Sequence, residues 1–175
     1  MADQFTAEDI RYLLGKLDTE LQSRGLGGTI FIVGGAAMAL AYNASRATAD
    51  IDAILQPRDV LLDAAAEVAR QENLGPRWLS DGVLQVMPPR QDDHPQSWKV
   101  GPALSVNIAS ADYVLAMKAM TSRQSDGDLR DAAQLCRLLG IAGESEIEAV
   151  VHRYFESNTK FGAQELFFER IIAHM

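Results

Sequence analysis

Two consecutive glycines, Gly34 and Gly35, follow the most strand-like stretch of the chain. The five residues before them, 29–33, are all β-branched or aromatic, and such a run predicts a buried strand. The seven residues after them, 36–42, are mostly small and apolar, which predicts a short helix that packs closely against a sheet. A strand that passes through two glycines into a helix of this kind favours a fold in which helices cover a β-sheet.

The remaining hydrophobic patterns place the other elements. A first helix is predicted with Thr6 as its N-cap and Asp9 three positions further on, followed by apolar residues at helical spacing. Helices are predicted over 6–23, 57–73, 110–121 and 129–139, with two more over 144–174 that are separated near Asn158. Strands are predicted over 29–33, 49–55, 83–87 and 104–108. The polar, proline-rich stretch 88–99 predicts an exposed loop.

The order of these elements predicts an α+β fold. A small mixed sheet flanked by helices is expected over residues 1–109, and a helical C-terminal subdomain over residues 110–175. The total of 175 residues corresponds to about one domain, and a chain of this size can bury its own core. Trp78 is expected to belong to that core.

Charge and composition restrict the environment and the partners of the protein. The formal net charge is −8, so an RNA substrate would need a local basic patch or a small footprint. Cys136 is the only cysteine, which favours a reducing compartment, and the three histidines are too scattered to predict a zinc site. The polar N-terminus is unlike a secretory signal, and the longest apolar stretch, 30–42, is too short to span a bilayer. We therefore expect a cytoplasmic protein with no membrane partner.

Asp50 and Asp52 are the strongest candidates for chemistry. Successive side chains of a strand point to opposite faces, so these two carboxylates are predicted to project from one face together. The core-facing set on the other face is predicted to be Ala49, Ile51, Ala53 and Leu55. Two neighbouring carboxylates repel each other unless a cation joins them, and hard oxygen ligands suit Mg²⁺ or Mn²⁺. The alternative stays open, because an Asp-x-Asp triplet and a double glycine are both common by chance.

The combination of these features resembles a known superfamily. A strand, a Gly-Gly turn, a short helix and an Asp-hydrophobic-Asp strand look like the core of the polymerase-β-type nucleotidyltransferases, and the string from Arg46 to Asp52 is similar to the abortive-infection enzymes of the AbiEii type. The resemblance implies that Gly34 and Gly35 contact nucleotide phosphates and that Asp50 and Asp52 bind Mg²⁺. It also implies that Arg46 and Thr48 support the nucleotide or the strand.

The resemblance extends into the helical part. The AbiEii-type pattern continues with a lysine on a helix, an arginine and two aspartates, which Lys118, Arg123, Asp128 and Asp131 match. It implies catalytic roles for Lys118 and Asp131 and nucleotide contacts for Lys118 and Arg123. The helical spacing places Lys118 on an apolar stripe, so its side chain either extends to the protein surface or points into a polar site. Asp128 either pairs with Lys118 or acts as the N-cap of the next helix.

The match is incomplete at position 107. Many members of the superfamily carry a third carboxylate on a later strand as the general base, whereas the corresponding position here is Asn107, whose amide cannot accept a proton in that way. Three explanations are open. Another acid among Asp81, Asp126 and Asp128 supplies the function, the enzyme works without it, or the domain is a degenerate nucleotide binder.

The function implied by the resemblance is a Mg²⁺-dependent nucleotidyltransferase. Such an enzyme would move a nucleoside monophosphate from an NTP to a hydroxyl group of RNA, such as a tRNA end, or of a protein. A role in a toxin–antitoxin or phage-defence pair, with a cognate antitoxin or toxin as partner, is part of the same expectation. The alternatives are a catalytically degenerate nucleotide-binding or antitoxin-like interaction module of the same fold, and a structural protein whose aspartate pair is a solvated strand face.

Overall fold

The computed structural model describes residues 4–175 and shows an α+β protein. In this range it contains seven α-helices and one five-stranded mixed sheet. The chain divides into two compact units. One consists of residues 4–86 and 95–109 and contains the whole sheet, and the other consists of Met87–His94 and Ser110–Met175. The second unit is helical, and residues 87–94 belong to it rather than to the sheet region, where they were expected.

The sheet of the first unit has the strand order β3-β2-β1-β5-β4. Its strands are β1 Gly28–Ile32, β2 Ile51–Gln56, β3 Leu79–Ser80, β4 Gln96–Lys99 and β5 Leu104–Ile108. Strand β1 is antiparallel to β2 and parallel to β5, β3 is parallel to β2, and β4 is antiparallel to β5. The register places Phe31 opposite both Ile54 and Asn107, and Asp52 opposite Ser80.

The helices of the first unit begin and end at the local signals that the sequence carries. They are α1 Ala7–Ser23, α2 Gly34–Ala37, which continues as a π-helical turn over Met38–Tyr42, and α3 Arg58–Glu72. Thr6 and Asp9 form the predicted capping box of α1. The predicted apolar stripe of α1, Ile10, Leu13, Leu14, Leu17 and Leu21, is buried. Pro57 precedes α3 as its N-cap, and Asn73 ends it in the left-handed conformation, so the predicted extent of this helix is confirmed.

The two faces of the sheet differ in burial. Along β1, β2 and β5 the residues of one face are buried, and they are Ile30, Ile32, Ile51, Ala53, Leu55, Leu104, Val106 and Ile108. A Cβ atom on Gly28 would lie 2.9 Å from the Leu61 side chain of α3, so α3 covers this buried face. The opposite face carries side chains that are half-buried or exposed, and among them are Phe31, Asp52, Ile54, Ser105 and Asn107. Asp52 and Asn107 therefore share the more accessible face.

Several strand predictions need correction. The predicted strand at 83–87 is wrong, because Gly82–Val86 forms a 3₁₀ turn without a buried residue, and the strand that pairs with β2 is β3. Strand β2 begins at Ile51 rather than at residue 49, and Ala49 is exposed rather than part of the core. The stretch 88–99 is not a loop throughout, because its last four residues form β4.

The second unit contains four helices in the described part of the chain. They are α4 Ala111–Ala119, α5 Asp126–Leu139, α6 Glu144–Tyr154 and α7 Gln164–Ala173. Helix α5 begins three residues earlier than predicted because Ser125 is its N-cap and forms a capping box with Asp128, so Asp128 is not the N-cap. Gly140, with φ of 70°, ends this helix as predicted. Within residues 4–175, none of the helices combines the length and the apolar character that crossing a membrane requires.

Candidate functional site

The glycine turn between β1 and α2 is a point where three polar side chains meet. Gly34 has φ of 62°, a left-handed conformation that glycine adopts without strain. A Cβ atom on Gly34 would lie 3.6 Å from Asp52 Oδ2. A Cβ atom on Gly35 would lie 2.7 Å from Thr48 Oγ1 and 3.5 Å from Arg46 Nη2. The bare backbone of the two glycines thus allows a carboxylate, a hydroxyl and a guanidinium group to approach one turn.

Asp52 lies on the accessible face of β2. It is half-buried, while its neighbours Ile51 and Ala53 on the other face are fully buried, which confirms the predicted alternation for this part of the strand. The backbone N–H of Val33 donates to the Asp52 carbonyl at 3.0 Å and so connects β2 directly to the residue before the glycine turn. The strand and the turn therefore hold the Asp52 side chain beside Gly34.

Asp50 differs from Asp52 in its backbone. It precedes β2 and lies in a bend, so strand alternation does not determine the direction of its side chain. Its carbonyl oxygen accepts a hydrogen bond of 3.2 Å from Thr48 Oγ1. The half-buried Asp50 is thus connected to the turn through its backbone, and a shared direction of the two carboxylates stays a prediction.

Thr48 and Arg46 are fixed by contacts within the first unit. Thr48 is buried and forms an isolated antiparallel bridge with Phe5, in which each backbone N–H donates to the carbonyl of the other residue, at 2.7 and 3.0 Å. Arg46 Nη1 donates to the carbonyl of Ala47. The structure therefore brings Arg46, Thr48 and Asp52 to the Gly34–Gly35 turn.

The helical unit contains the second group of predicted residues. Lys118 on α4 is only 7% exposed, so its side chain does not extend to the protein surface. Its Nζ lies 2.9 Å from Asp128 Oδ1 and 3.1 Å from Asp131 Oδ2 on α5. Both aspartates are buried, and both pair with the lysine. This confirms the expected charge pairing of Lys118 with an aspartate of α5, while its orienting role stays a prediction.

Arg123 completes this network through Asp128. Its Nη2 and Nε donate to the two oxygens of Asp128 at 2.8 and 2.9 Å, and the N–H and hydroxyl groups of Ser125 donate to Oδ2. Burial by itself would raise the pKa of Asp128, but the hydrogen bonds from Arg123 and the charge of Lys118 outweigh it and hold the pKa below its usual range. Two cations thus balance two carboxylates in this network.

The residue at the expected position of the third carboxylate, Asn107, and the three acids that could replace it are divided between the two units. In the first unit, Asn107 accepts a 2.9 Å hydrogen bond from Ser97 Oγ through its amide oxygen, and Asp81 forms an ion pair with Arg58 Nε. In the second unit, Asp126 is exposed in the first turn of α5, and Asp128 is enclosed by its own partners. The carboxylates of Asp81 and Asp128 are thus both held by cations of the chain.

The structure also contains a polar cluster that the sequence analysis missed. Asp92 accepts hydrogen bonds from the N–H and hydroxyl groups of Ser110 at 2.7 and 2.8 Å, and so satisfies the N-terminus of α4. His94 places Nε2 2.9 Å from Asp112 Oδ1 and Nδ1 2.5 Å from Asp93 Oδ1. One carboxylate oxygen each from Asp92 and Asp93 and one ring nitrogen of His94 lie within 4.8 Å of one another. All three side chains already form hydrogen bonds within the chain. Asp92 and Ser110 are eighteen positions apart, and no local sequence pattern predicts a hydrogen bond over that separation.

His94 carries a raised pKa in this cluster. The hydrogen bond with Asp93 is the largest cause, burial opposes it, and the negative charges of Asp112 and Asp92 add to it. Asp112 in turn accepts from the Tyr154 hydroxyl at 2.7 Å and from Arg153 Nη1. The cluster therefore ties the segment before β4 to α4 and α6 within the helical unit.

Comparisons of the chain with models of protein families, with curated proteins and with solved structures found no match. What supports a function is therefore the arrangement of the chain's own residues at the glycine turn and in the Lys118 network.

Proposed function

We propose that the protein is a nucleotidyltransferase, dependent on Mg²⁺ or Mn²⁺, that transfers a nucleoside monophosphate from an NTP to a hydroxyl group of RNA, such as a tRNA end, or of a protein. The observation that carries this proposal is the approach of Asp52, Thr48 and Arg46 to the Gly34–Gly35 turn. A turn of bare backbone beside a cation suits an anionic ligand, and a carboxylate beside the same turn suits a divalent cation.

The phosphates of the NTP would lie along the turn. Arg46 would contribute a guanidinium group, which binds phosphate oxygens through paired hydrogen bonds, and the main-chain N–H groups of the turn would add neutral donors. Thr48, held by its bridge to Phe5, keeps the turn in place and bonds to the backbone of Asp50. Phosphoryl transfer depends mostly on such positioning and on charge stabilisation.

Asp50 and Asp52 are the residues that would hold the metal ion. Their carboxylate oxygens are the hard ligands that Mg²⁺ prefers, and both residues are partly accessible. When bound, Mg²⁺ offsets the negative charge of a triphosphate and polarises its phosphoryl oxygens. Asp52 is the better defined of the two, because its strand fixes its side chain next to the turn.

Lys118, Arg123 and Asp131 would contribute charge from the helical unit. An ammonium group has three N–H donors, and Asp128 and Asp131 account for two of them, so one donor is left for a substrate oxygen. In this proposal Asp131 orients Lys118, and the exposed Arg123 adds a cation that a nucleotide could contact.

One observation favours a second candidate, a catalytically degenerate nucleotide-binding or antitoxin-like module. Asn107 shares the accessible sheet face with Asp52 and bonds to Ser97, whereas many of the enzymes that the sequence resembles carry a carboxylate at this position. Such a module would bind NTP without transferring it. The glycine turn and the aspartate strand resemble those of the AbiEii-type enzymes. In either function, we therefore propose that the protein acts in a toxin–antitoxin or phage-defence pair with a cognate protein partner.

The test combines NTP binding with transfer. Melting temperatures are measured with each of the four NTPs and Mg²⁺ for the wild type, for Asp52→Asn and for Asp63→Asn. Asp63 is an exposed aspartate on α3 and provides a control with the same change of charge. The proposal expects a metal-dependent rise in melting temperature that Asp52→Asn abolishes and Asp63→Asn preserves, since the ligand stabilises only a protein that binds it.

Transfer is then measured with α-labelled NTPs in a cell extract. Label on RNA or on protein that disappears in Asp52→Asn supports the enzyme. Binding without any transfer supports the degenerate module instead. If none of the NTPs raises the melting temperature, neither nucleotide function stands, and a loss of folding in Asp52→Asn would identify a structural aspartate.

A further inference from the structure

The strand next to Asp52 on the side away from the glycine turn also carries polar groups. The order β3-β2-β1 places β3 on one side of Asp52 and the strand leading to the turn on the other. Ser80 of β3 is paired directly with Asp52 of β2, and residues opposite each other in neighbouring strands project from the same face. Ser80 is half-buried, and the adjacent pair Ile51 and Leu79 is buried. The hydroxyl of Ser80 therefore lies on the accessible face with Asp52.

Arg77 brings a guanidinium group to the same place. A Cβ atom on Gly82 would lie 3.5 Å from Ser80 Oγ and 3.8 Å from Arg77 Nη2, so both groups lie within 4 Å of one position. The N–H of Gly82 donates to Ser80 Oγ at 3.3 Å, which holds the chain after β3 against the Ser80 side chain. The Arg77 guanidinium and the Ser80 hydroxyl therefore both lie next to Gly82.

The charge of Arg77 is not compensated locally. Arg77 is exposed, and it forms no ion pair or hydrogen bond through its side chain with any residue between 4 and 175. The nearest acid along the chain, Asp81, is paired with Arg58 Nε. A guanidinium group near a hydroxyl that shares the sheet face of a candidate metal ligand is a combination that suits a phosphate oxygen.

We propose that Arg77 is a further substrate-binding residue that contacts a phosphate group on the β3 side of Asp52, an inference that rests on the proposed function of the Asp52 site. Ser80 lies beside this contact and provides a hydroxyl group. The phosphate is either part of the donor triphosphate or part of the acceptor. Arg77 and Arg46 would then contact phosphate groups on the two sides of Asp52.

The experiment measures binding by titration calorimetry with Mg²⁺ present. The probes are the NTP that stabilises the wild type most, inorganic tripolyphosphate and a single-stranded RNA oligonucleotide. The variants are Arg77→Gln and Arg11→Gln. Arg11 is exposed on α1 and, within residues 4–175, also lacks an ion pair, so its substitution changes the net charge equally. Because Arg77 is exposed and unpaired within the same range, its variant should melt at the wild-type temperature without ligand.

The proposal expects Arg77→Gln to weaken at least one probe roughly tenfold or more, as the loss of a charge-assisted hydrogen bond does, while Arg11→Gln stays within about twofold of the wild type. A weaker affinity for both the NTP and tripolyphosphate assigns the contact to the donor. A weaker affinity for RNA alone assigns it to the acceptor. If Arg77→Gln matches Arg11→Gln for every probe, or if the wild type binds none of them, the proposal is wrong.

Label transfer, measured on the same preparations, separates this inference from the proposed function. If Arg77→Gln shows the expected loss of affinity but the wild type transfers no label, the phosphate contact stands and the transferase function fails. If the wild type transfers label and Arg77→Gln binds every probe as Arg11→Gln does, the function stands and Arg77 has no part in it.

Discussion

Carboxylates in the two units have different surroundings. In the helical unit, Asp128 and Asp131 are buried, and Lys118 and Arg123 balance their charges. In the sheet unit, Asp52 is half-buried on the accessible face of β2, next to a turn of two glycines. A buried, charge-balanced network is costly to break, whereas a partly accessible carboxylate can exchange partners with a ligand. We infer that the first group stabilises the fold besides its proposed part in the site, and that Asp52 is where a ligand exchanges partners with the protein.

The largest expected effect comes from breaking the buried network. Lys118→Ala should lower the free energy of unfolding by about 3–5 kcal/mol, because it leaves two buried carboxylates with one cation between them. Urea denaturation measures this change. Lys160→Ala, at an exposed lysine of the same unit, should stay within about 0.5 kcal/mol of the wild type.

This result would sharpen or reverse the contrast between the two units. A large loss of stability confirms that Lys118 supports the fold. If Lys118→Ala instead unfolds like the wild type while NTP binding is lost, the network serves ligand binding alone, and the contrast in stability between the two units is wrong.

A smaller effect is expected at the glycine turn. Gly35→Ala should lower the free energy of unfolding by about 1–3 kcal/mol, since its methyl group would lie 2.7 Å from Thr48 Oγ1, and Thr48 is held by its bridge to Phe5. Gly15→Ala on α1, where a Cβ meets nothing within 4 Å, should instead stabilise the protein by roughly 0.5–1 kcal/mol. Thermal or urea denaturation of both variants tests the pair.

The steric explanation has its own check. Adding Thr48→Ala to Gly35→Ala removes the hydroxyl that the new methyl group meets, so the double variant should lose less stability than the sum of the two single losses. Strict additivity would contradict the close approach of Thr48 to Gly35, and with it the convergence on which the proposed site depends.

Much of the fold could be predicted because its signals are local. The capping box of Thr6 and Asp9, Pro57 before α3 and Gly140 after α5 each act within a few residues, and the structure has all three elements where these residues place them. The strand predicted at 83–87 was wrong because a short, mostly apolar run does not show whether a partner strand is present. Hydrogen bonds from Leu84 N to the Asp81 carbonyl and from Gly82 N to Ser80 Oγ close a turn there instead.

The candidate site was predictable only in part, because some of its contacts follow from local patterns and others depend on the packing of distant segments. Helical spacing left the direction of the Lys118 side chain open, and the pairing with an aspartate of α5 was favoured only together with the family resemblance. Strand alternation located Asp52 on its face but does not reach Asp50, which precedes the strand. The turn after β3 determines that Arg77 lies near Ser80, and the packing of distant segments determines the hydrogen bonds between Asp92 and Ser110. The sequence pattern predicts neither of them.

The smallest expected effect is a pH-dependent change in stability when His94 is replaced. It tests whether charge pairing stabilises the polar cluster around His94, as it does the buried Lys118 network. The raised pKa of His94 means that its contribution to stability is fully present below the usual value of 6.5 and is lost as the pH rises through the folded-state pKa. His94→Gln should therefore destabilise the protein most under mildly acidic conditions, by about 1 kcal/mol or less because the side chain is more than half exposed, and the difference should vanish at a pH well above the folded-state pKa. Urea denaturation of the wild type and the variant across this range measures it, with the exposed His174→Gln as the control. A difference that stays constant or grows with pH would show that the protonated imidazole does not hold the segment before β4, and that hydrogen bonds between Asp92 and Ser110 hold it without help from charge.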